Sequence, residues 1–276
     1  MIFKSTTMNL NIKSAVGFLT FKKLEEYKFI RHAFSTRLGG ISKNEYKSMN
    51  LRINCSDQYE NVIENYKLFC NATNIDFNSL TFTSQTHTNN VRLITSKDKG
   101  VGIHKPQDMN NIDALTTNEK GITLVTFHAD CIPIFIVDPI NKAIGLAHSG
   151  WRGTAFKIAR NLLDVMRENY YSLPQNLICC IGPGIEKSCF EVDDKVLQEF
   201  KKSGISNQDK YIQEKINEKF FVDLPGLNKQ ILLDNGVDKD NIVMSDICTK
   251  CSHDLLFSHR QTGDKRGTMA AMIQLC

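Results

Sequence analysis

A chain of 276 residues that is 41% hydrophobic can bury a substantial core, and 34 basic residues against 30 acidic ones leave a near-balanced net charge of +4. The basic residues are scattered rather than gathered on one stretch, which argues against a nucleic-acid partner. Nine irregularly spaced cysteines exclude a small disulfide scaffold, and no apolar run approaches membrane-spanning length, so the sequence reads as a cytoplasmic protein with no membrane partner.

Near the N-terminus Ala15 to Phe21 is a weak apolar stretch without a leader cleavage site. Asp57 to Asn71 has the spacing of a helix: Tyr59, Val62, Ile63, Tyr66, Phe69 and Cys70 share one face, and Asp57-x-x-Glu60 has the form of a capping box. From Gly121 the character changes. Ile122 to Ala129, Ile134 to Val137 and Ala143 to Ala147 are β-branched or apolar runs bounded by breakers, and they predict three strands. Thr154 is positioned to cap a helix whose apolar residues Phe156, Ala159, Leu162, Leu163 and Met166 recur at helical spacing before Pro174. Leu177 to Ile181 predicts a strand, Asp193 to Lys202 a helix closed by Gly204, and Leu224 to Asn235 a helix closed by Gly236. Ile242 to Ser245 and Thr268 to Leu275 complete the pattern as late strands. Strands and helices alternate without a linker or repeat, which predicts one α+β domain over residues 1–276.

Three residues stand at the ends of these apolar stretches among Gly, Asp and Arg: His87, Cys131 and His148. Two imidazoles and a thiolate would give zinc three protein ligands and leave a fourth position open. A His or Cys in an apolar segment is also an ordinary packed core residue. His128 competes as a ligand, but strand alternation puts it with Asp130 on one face and Cys131 on the other. Asp130 reads as a carboxylate that orients a ligand or moves a proton, or as a strand-end cap. Cys248-Thr249-Lys250-Cys251 has the spacing of a metal knuckle without the second cysteine pair such a knuckle uses, so Cys248 lines a pocket or is simply buried. Ser35-Thr36-Arg37-Leu38-Gly39-Gly40, Trp151-Arg152-Gly153 and Ser258-His259-Arg260 place arginine where a guanidinium fork and backbone amides can meet a phosphate, as well as where turns occur. Arg152 is favoured for phosphate, because its loop leads from His148 into a helix N-terminus.

Together Ser35-Thr36-Arg37-x-Gly39-Gly40-x-Ser42, Ser48-Met49-Asn50-Leu51, Gln85-x-His87, Ala129-Asp130-Cys131-x-Pro133, Ala147-His148-x-Gly150-Trp151-Arg152-Gly153, Ile181-Gly182-Pro183, Glu191-Val192, Cys248-Thr249 and Ser258-x-Arg260 resemble the laccase-domain, or YfiH, family over almost the whole chain. The resemblance implies a mixed four-layer α/β/β/α sandwich. It implies zinc ligands at His87, Cys131 and His148, with copper an in vitro alternative. The implied activities are phosphorolysis of adenosine, inosine, guanosine and methylthioadenosine and deamination of adenosine, by a monomer or homodimer whose partners are purine nucleoside and phosphate. Within these motifs Asp130, Arg152, Cys248 and Arg260 are assigned to catalysis, and Arg37, Asn50 and Gln85 to substrate. Three rivals stand beside this reading. A copper polyphenol oxidase would need histidine-rich ligation, whereas the seven histidines include no His-x-His pair. A cysteine hydrolase would use Cys131 as nucleophile with His148 or His87 as base. The third is a peptidoglycan-precursor editing factor.

Overall fold

The computed structural model describes residues 3–214 and 219–276. The chain opens with an antiparallel meander of β1 (Met8–Lys13), β2 (Val16–Phe21) and β3 (Ile30–Ser35). The stretch from Ala15 to Phe21 is thus mostly a strand. Its partner, Met8-Asn9-Leu10-Asn11-Ile12-Lys13, carries strict apolar-polar alternation.

Helix α1 (Tyr59–Thr73) begins two residues later than its spacing suggested, because the capping box does not form. Asp57 accepts instead from Ser42 Oγ at 2.6 Å and Asn50 Nδ2 at 2.9 Å, and the N-cap residue Gln58 makes no side-chain cap. Val62, Tyr66 and Phe69 are buried at i, i+4 and i+7, each contributing roughly 1.5–3 kcal/mol relative to exposure.

The middle of the chain supplies β4 (Leu80–Phe82), β5 (Val91–Leu93), β6 (Ala114–Thr117), β7 (Thr123–His128), β8 (Ile132–Asp138) and β9 (Ala143–Ser149). Thr154 does not cap the following helix. It lies inside the short α2 (Trp151–Ala155), its hydroxyl donating to Gly150 O, and Lys157 in the left-handed region separates α2 from α3 (Ile158–Tyr170). Phe156 falls in that break and is exposed. Next come β10 (Ile178–Ile181), β11 (Glu191–Val192), α4 (Asp194–Lys202), β12 (Ile212–Glu214), β13 (Phe220–Val222) and α5 (Leu224–Asp234). The chain ends with β14 (Ile242–Met244), α6 (His259–Thr262) and β15 (Met269–Leu275). Asp193 and Asp223 cap α4 and α5 by accepting from Val196 N and Gly226 N.

Two six-stranded sheets result, ordered β1-β2-β3-β15-β7-β4 and β14-β10-β8-β9-β6-β5, with a three-stranded β11-β13-β12 sheet beside them. Phe21, Phe34, Leu124 and Ile273 of the first sheet meet Leu115, Phe135, Ile144 and Leu146 of the second in one core. The outer face of the first sheet packs on α1, and that of the second on α3 and α5. This is the expected α/β/β/α order. No helix among the described residues is long and apolar enough to cross a membrane.

The topology decides where a site can form. Twice the chain leaves the first sheet for the second: from β4 to β5 through residues 83–90, and from β7 to β8 through residues 129–131. His87 rides on the first crossing and Cys131 on the second. His148 sits one residue from the end of β9, paired with Pro133 of β8.

Candidate metal centre

The ligand atoms of His87, Cys131 and His148 all lie within 4.8 Å of one another, with His87 Nε2 and Cys131 Sγ 3.8 Å apart. Asp113, immediately before β6, holds the two histidines. Its fully buried carboxylate accepts from His148 Nδ1 at 2.8 Å, from the backbone N–H groups of Thr86, His87 and Thr88, and from Thr88 Oγ1 at 2.8 Å. A histidine whose Nδ1–H is held by a carboxylate presents Nε2 to a metal with its orientation fixed.

Backbone strain accompanies this arrangement. His87 has φ +65° and Asp130 φ +88°, conformations that cost a non-glycine residue about 1–3 kcal/mol. The Asp113 contact to the His87 N–H offsets the first, and a two-sided clamp on Asp130 the second. Gly150 leaves room for the cluster: a Cβ there would stand 2.8 Å from His87 Cδ2 and 3.0 Å from Cys131 Sγ.

The electrostatics of the metal-free cluster favour a Cys131 thiolate beside a protonated His148, whose proton ligation would displace. Burial pushes the Cys131 thiol up, but the adjacent His148 and His87 outweigh it and hold the thiol down at about 6. His148, which burial lowers, is carried up to about 9 by Cys131 and Asp113. Burial also works against the Asp113 charge, yet its bond to His148 and the Thr88 contacts keep it at about 2. His128 is not part of the cluster. Its nitrogens face Cys131 O at 3.0 Å and Thr126 Oγ1 at 2.8 Å, and burial keeps it neutral.

His87, Cys131 and His148 line a cleft of about 370 Å³ together with Phe82, Phe127, Gln85, Arg52 and Arg266. Phe82 and Phe127 meet edge to face at 5.3 Å. Thr83 Oγ1, Thr268 Oγ1 and Arg266 Nε, all on this cleft, are buried without a hydrogen-bond partner among the described residues.

Of the other residues picked from sequence, only Gln85 lines the cleft, and both ends of its amide are bonded to the Phe127 backbone, at 2.7 and 3.0 Å. Asn50 is buried behind it, accepting from Arg52 N and Thr268 N, so it positions two cleft segments. Asp130 points away from the cleft: one oxygen accepts from Thr249 Oγ1 and the other from Arg260 N, both at 2.6 Å. The Arg37 guanidinium donates to Lys47 O and His253 O over the Phe257 ring. That of Arg260 donates to Glu191 O beside Phe190. Arg152 stacks on Trp151, exposed, and the helix expected to offer an anion its N-terminus is α2, only five residues long. Cys248 is buried, and its sulfur lies near those of the partly exposed Cys189 and the exposed Cys251. None of Arg37, Asp130, Arg152, Cys248 and Arg260 lines the cleft.

The residues that sequence reasoning missed are Asp113, Arg52 and Arg266. Asp113 has no motif around it, and its five contacts are made across the fold. Arg266 stands in Gly263-Asp264-Lys265-Arg266-Gly267, where arginine adjoins glycine as it does in Trp151-Arg152-Gly153.

The chain is 33% identical to the purine nucleoside phosphorylase YlmD of Bacillus subtilis over 241 residues, covering 87% of this chain and 86% of that one. It is 31% identical over 237 residues to adenosine deaminase RL5 from an unknown prokaryotic organism, covering 85% and 90%. The crystal structure of YfiH from Bacillus licheniformis superposes with a TM-score of 0.91 at 28% identity, over 98% of this chain and 99% of that one. A family model described as multi-copper polyphenol oxidoreductase laccase matches residues 31–276, and the chain belongs to that family.

Proposed function

We propose that the protein is a zinc-dependent purine nucleoside enzyme. On this reading it phosphorolyses adenosine, inosine, guanosine and methylthioadenosine and deaminates adenosine. One observation carries the reading. A two-histidine, one-cysteine donor set and an arginine with an unpartnered buried Nε share one aromatic-walled cleft. The names of the relatives, purine nucleoside phosphorylase and adenosine deaminase, support purine nucleosides as the substrate class.

The donor set fits zinc, which takes Cys and His in tetrahedral sites. When bound by His87, Cys131 and His148, zinc supplies Lewis acidity at the cleft floor. The protein's own groups do the rest. Phe127 and Phe82, meeting edge to face, offer apolar surface against which a purine ring can pack. Arg266 and Arg52 offer guanidinium forks to phosphate, which would then stand against the ribose while the base departs. Thr83 and Thr268 supply hydroxyls for sugar or phosphate oxygens. Asp113 keeps His148 in one tautomer throughout.

Incubating the metal-replete protein with adenosine, with and without phosphate, and separating the products tests this. Adenine and ribose-1-phosphate are expected only with phosphate, and inosine in either case. Untouched nucleosides alongside rapid turnover of a phenol in copper-free buffer would refute it.

A second reading has its own observation: Asp113, His148 and Cys131 form a carboxylate-imidazole-thiol series, the order of a cysteine hydrolase. It is distinguished by metal. A hydrolase stays active after chelation and is inactivated by alkylation of Cys131, whereas a metal-ligating Cys131 is protected from alkylation while the ion is bound.

A further inference from the structure

Outside the cleft, three more thiols converge. Cys189 closes a turn before β11, and Cys248 and Cys251 bracket a tight turn after β14, with the two thiol-bearing stretches far apart in sequence. Their sulfur atoms lie within 4.8 Å of one another, and Cys189 Sγ and Cys251 Sγ are 3.4 Å apart. We propose that Cys189, Cys248 and Cys251 form a second metal site, which binds a thiophilic divalent cation such as zinc or cadmium through three thiolates and leaves the fourth position to solvent.

The spacing is close to what such an ion needs. A zinc–sulfur bond of about 2.3 Å in tetrahedral geometry sets sulfurs roughly 3.8 Å apart, so small side-chain rotations suffice. The backbone is already fixed. Thr249 N donates to Gly184 O at 2.9 Å and Ser252 N to Cys248 O at 2.9 Å, closing the Cys-x-x-Cys turn. On the other side Cys189 N donates to Glu186 O at 2.9 Å. Both turns are tied to the same carboxylate: Asp130 accepts from Thr249 and from Arg260 N, and the Arg260 side chain donates to Glu191 O and Cys189 O.

The chemistry of the three groups points the same way. On binding, each sulfur loses its proton to solvent as its bond to the metal forms. A disulfide would join two of these sulfurs and leave the third unused, whereas a soft ion uses all three. Cys251 is exposed and Cys189 partly so, which gives an ion a path in. His253 turns its nitrogens to Lys250 O and Asp254, so the fourth position is left to water or a small ligand.

The test is titration of the reduced full-length protein with cadmium, followed by mass spectrometry under native conditions. Two ions per chain are expected for the unaltered protein and one for the Cys189→Ser, Cys251→Ser double variant, with nucleoside turnover unchanged. In the unaltered protein, cadmium should also protect Cys189 and Cys251 from iodoacetamide, a readout independent of how the variant folds. Binding of a single ion, alkylation of both residues at the same rate with and without cadmium, or a Cys189–Cys251 disulfide that persists under reduction would overturn the proposal.

Discussion

Asp130 and Cys131 are neighbours in sequence and face opposite sides of one crossing between the sheets, and the two sides are built on opposite principles. On the Cys131 side, polar atoms have no hydrogen-bond partner among the described residues: Thr83 Oγ1, Thr268 Oγ1 and Arg266 Nε. On the Asp130 side they are engaged. Arg37 holds two carbonyls, Arg260 reaches Glu191 O and Cys189 O, and both Asp130 oxygens accept hydrogen bonds. A buried polar group without a partner costs about 1–3 kcal/mol, so keeping several in one cleft marks the surface that a ligand completes. The engaged side is scaffold.

The sharpest way to break this division is at the floor. In a Cys189→Ser, Cys251→Ser background, which leaves one candidate site, Cys131→Ala with His148→Ala should abolish metal binding and nucleoside turnover together. Metal that stays stoichiometric would show that the cluster is not the ligand set. Asp113→Asn keeps the shape but weakens the grip on His148, and a tenfold to hundredfold fall in zinc affinity is expected by competition with a chelating dye. Unchanged affinity would reduce Asp113 to a loop anchor.

Next in size is the arginine contrast. Arg266→Met removes a charge-assisted contact worth roughly 1.5–3 kcal/mol, about tenfold to a hundredfold in phosphorolysis, while deamination, which uses water, falls less. Arg37→Met and Arg260→Met should lower both activities in step with stability. If Arg260→Met alone separates the two rates, the phosphate subsite lies on the flank after all.

How far the sequence foretold this follows from where each signal is stored. Cys131 and His148 stand at ends of β-branched strands, and strand ends are readable from local composition. The layers were legible through the resemblance, and the later strands and α3, α4 and α5 through periodicity and breakers. Strand β1 is legible too, in the alternation of Met8 to Lys13, whereas the stretch beside it, Ala15 to Phe21, is too weakly patterned to read as a strand by itself. Asp113 was not legible, because its importance lies in contacts with Thr86, Thr88 and His148 that only the folded chain creates. The arginines failed for a related reason: glycine beside arginine marks a tight turn, and whether a turn faces a cleft or a neighbouring carbonyl is a tertiary matter.

On the scaffold side, Asp130→Asn should leave metal content intact and cost about 1.5–3 kcal/mol in denaturant unfolding, since a charged acceptor for two short hydrogen bonds becomes neutral. A loss of turnover without loss of stability would instead move Asp130 into the chemistry.

The smallest expected effect near neutrality compares two buried histidines. His148, beside Asp113 and Cys131, is carried up to about 9, whereas His32 has no such partners and burial drives it down to about 3 from an ordinary 6.5. His32 acts as a neutral acceptor for Phe21 N at 2.8 Å and packs against Phe135. Its folded-state pKa lies below the unfolded one, so as pH falls the unfolded chain takes up the proton first. Stability is therefore complete above about 6.5 and drains as pH falls from there toward 3, by roughly 1 kcal/mol at pH 6 and roughly 2 at pH 5. In His32→Gln the amide oxygen can still accept from Phe21 N, but nothing titrates. The variant should be less stable at pH 8 through lost packing, yet its stability should fall less steeply between pH 7 and 5. Because His128 is also buried and neutral, part of the slope persists. Parallel stability curves for the two proteins over that range would mean that His32 is protonated in the folded state and that its surroundings are more polar than the Phe21–Phe135 contacts imply.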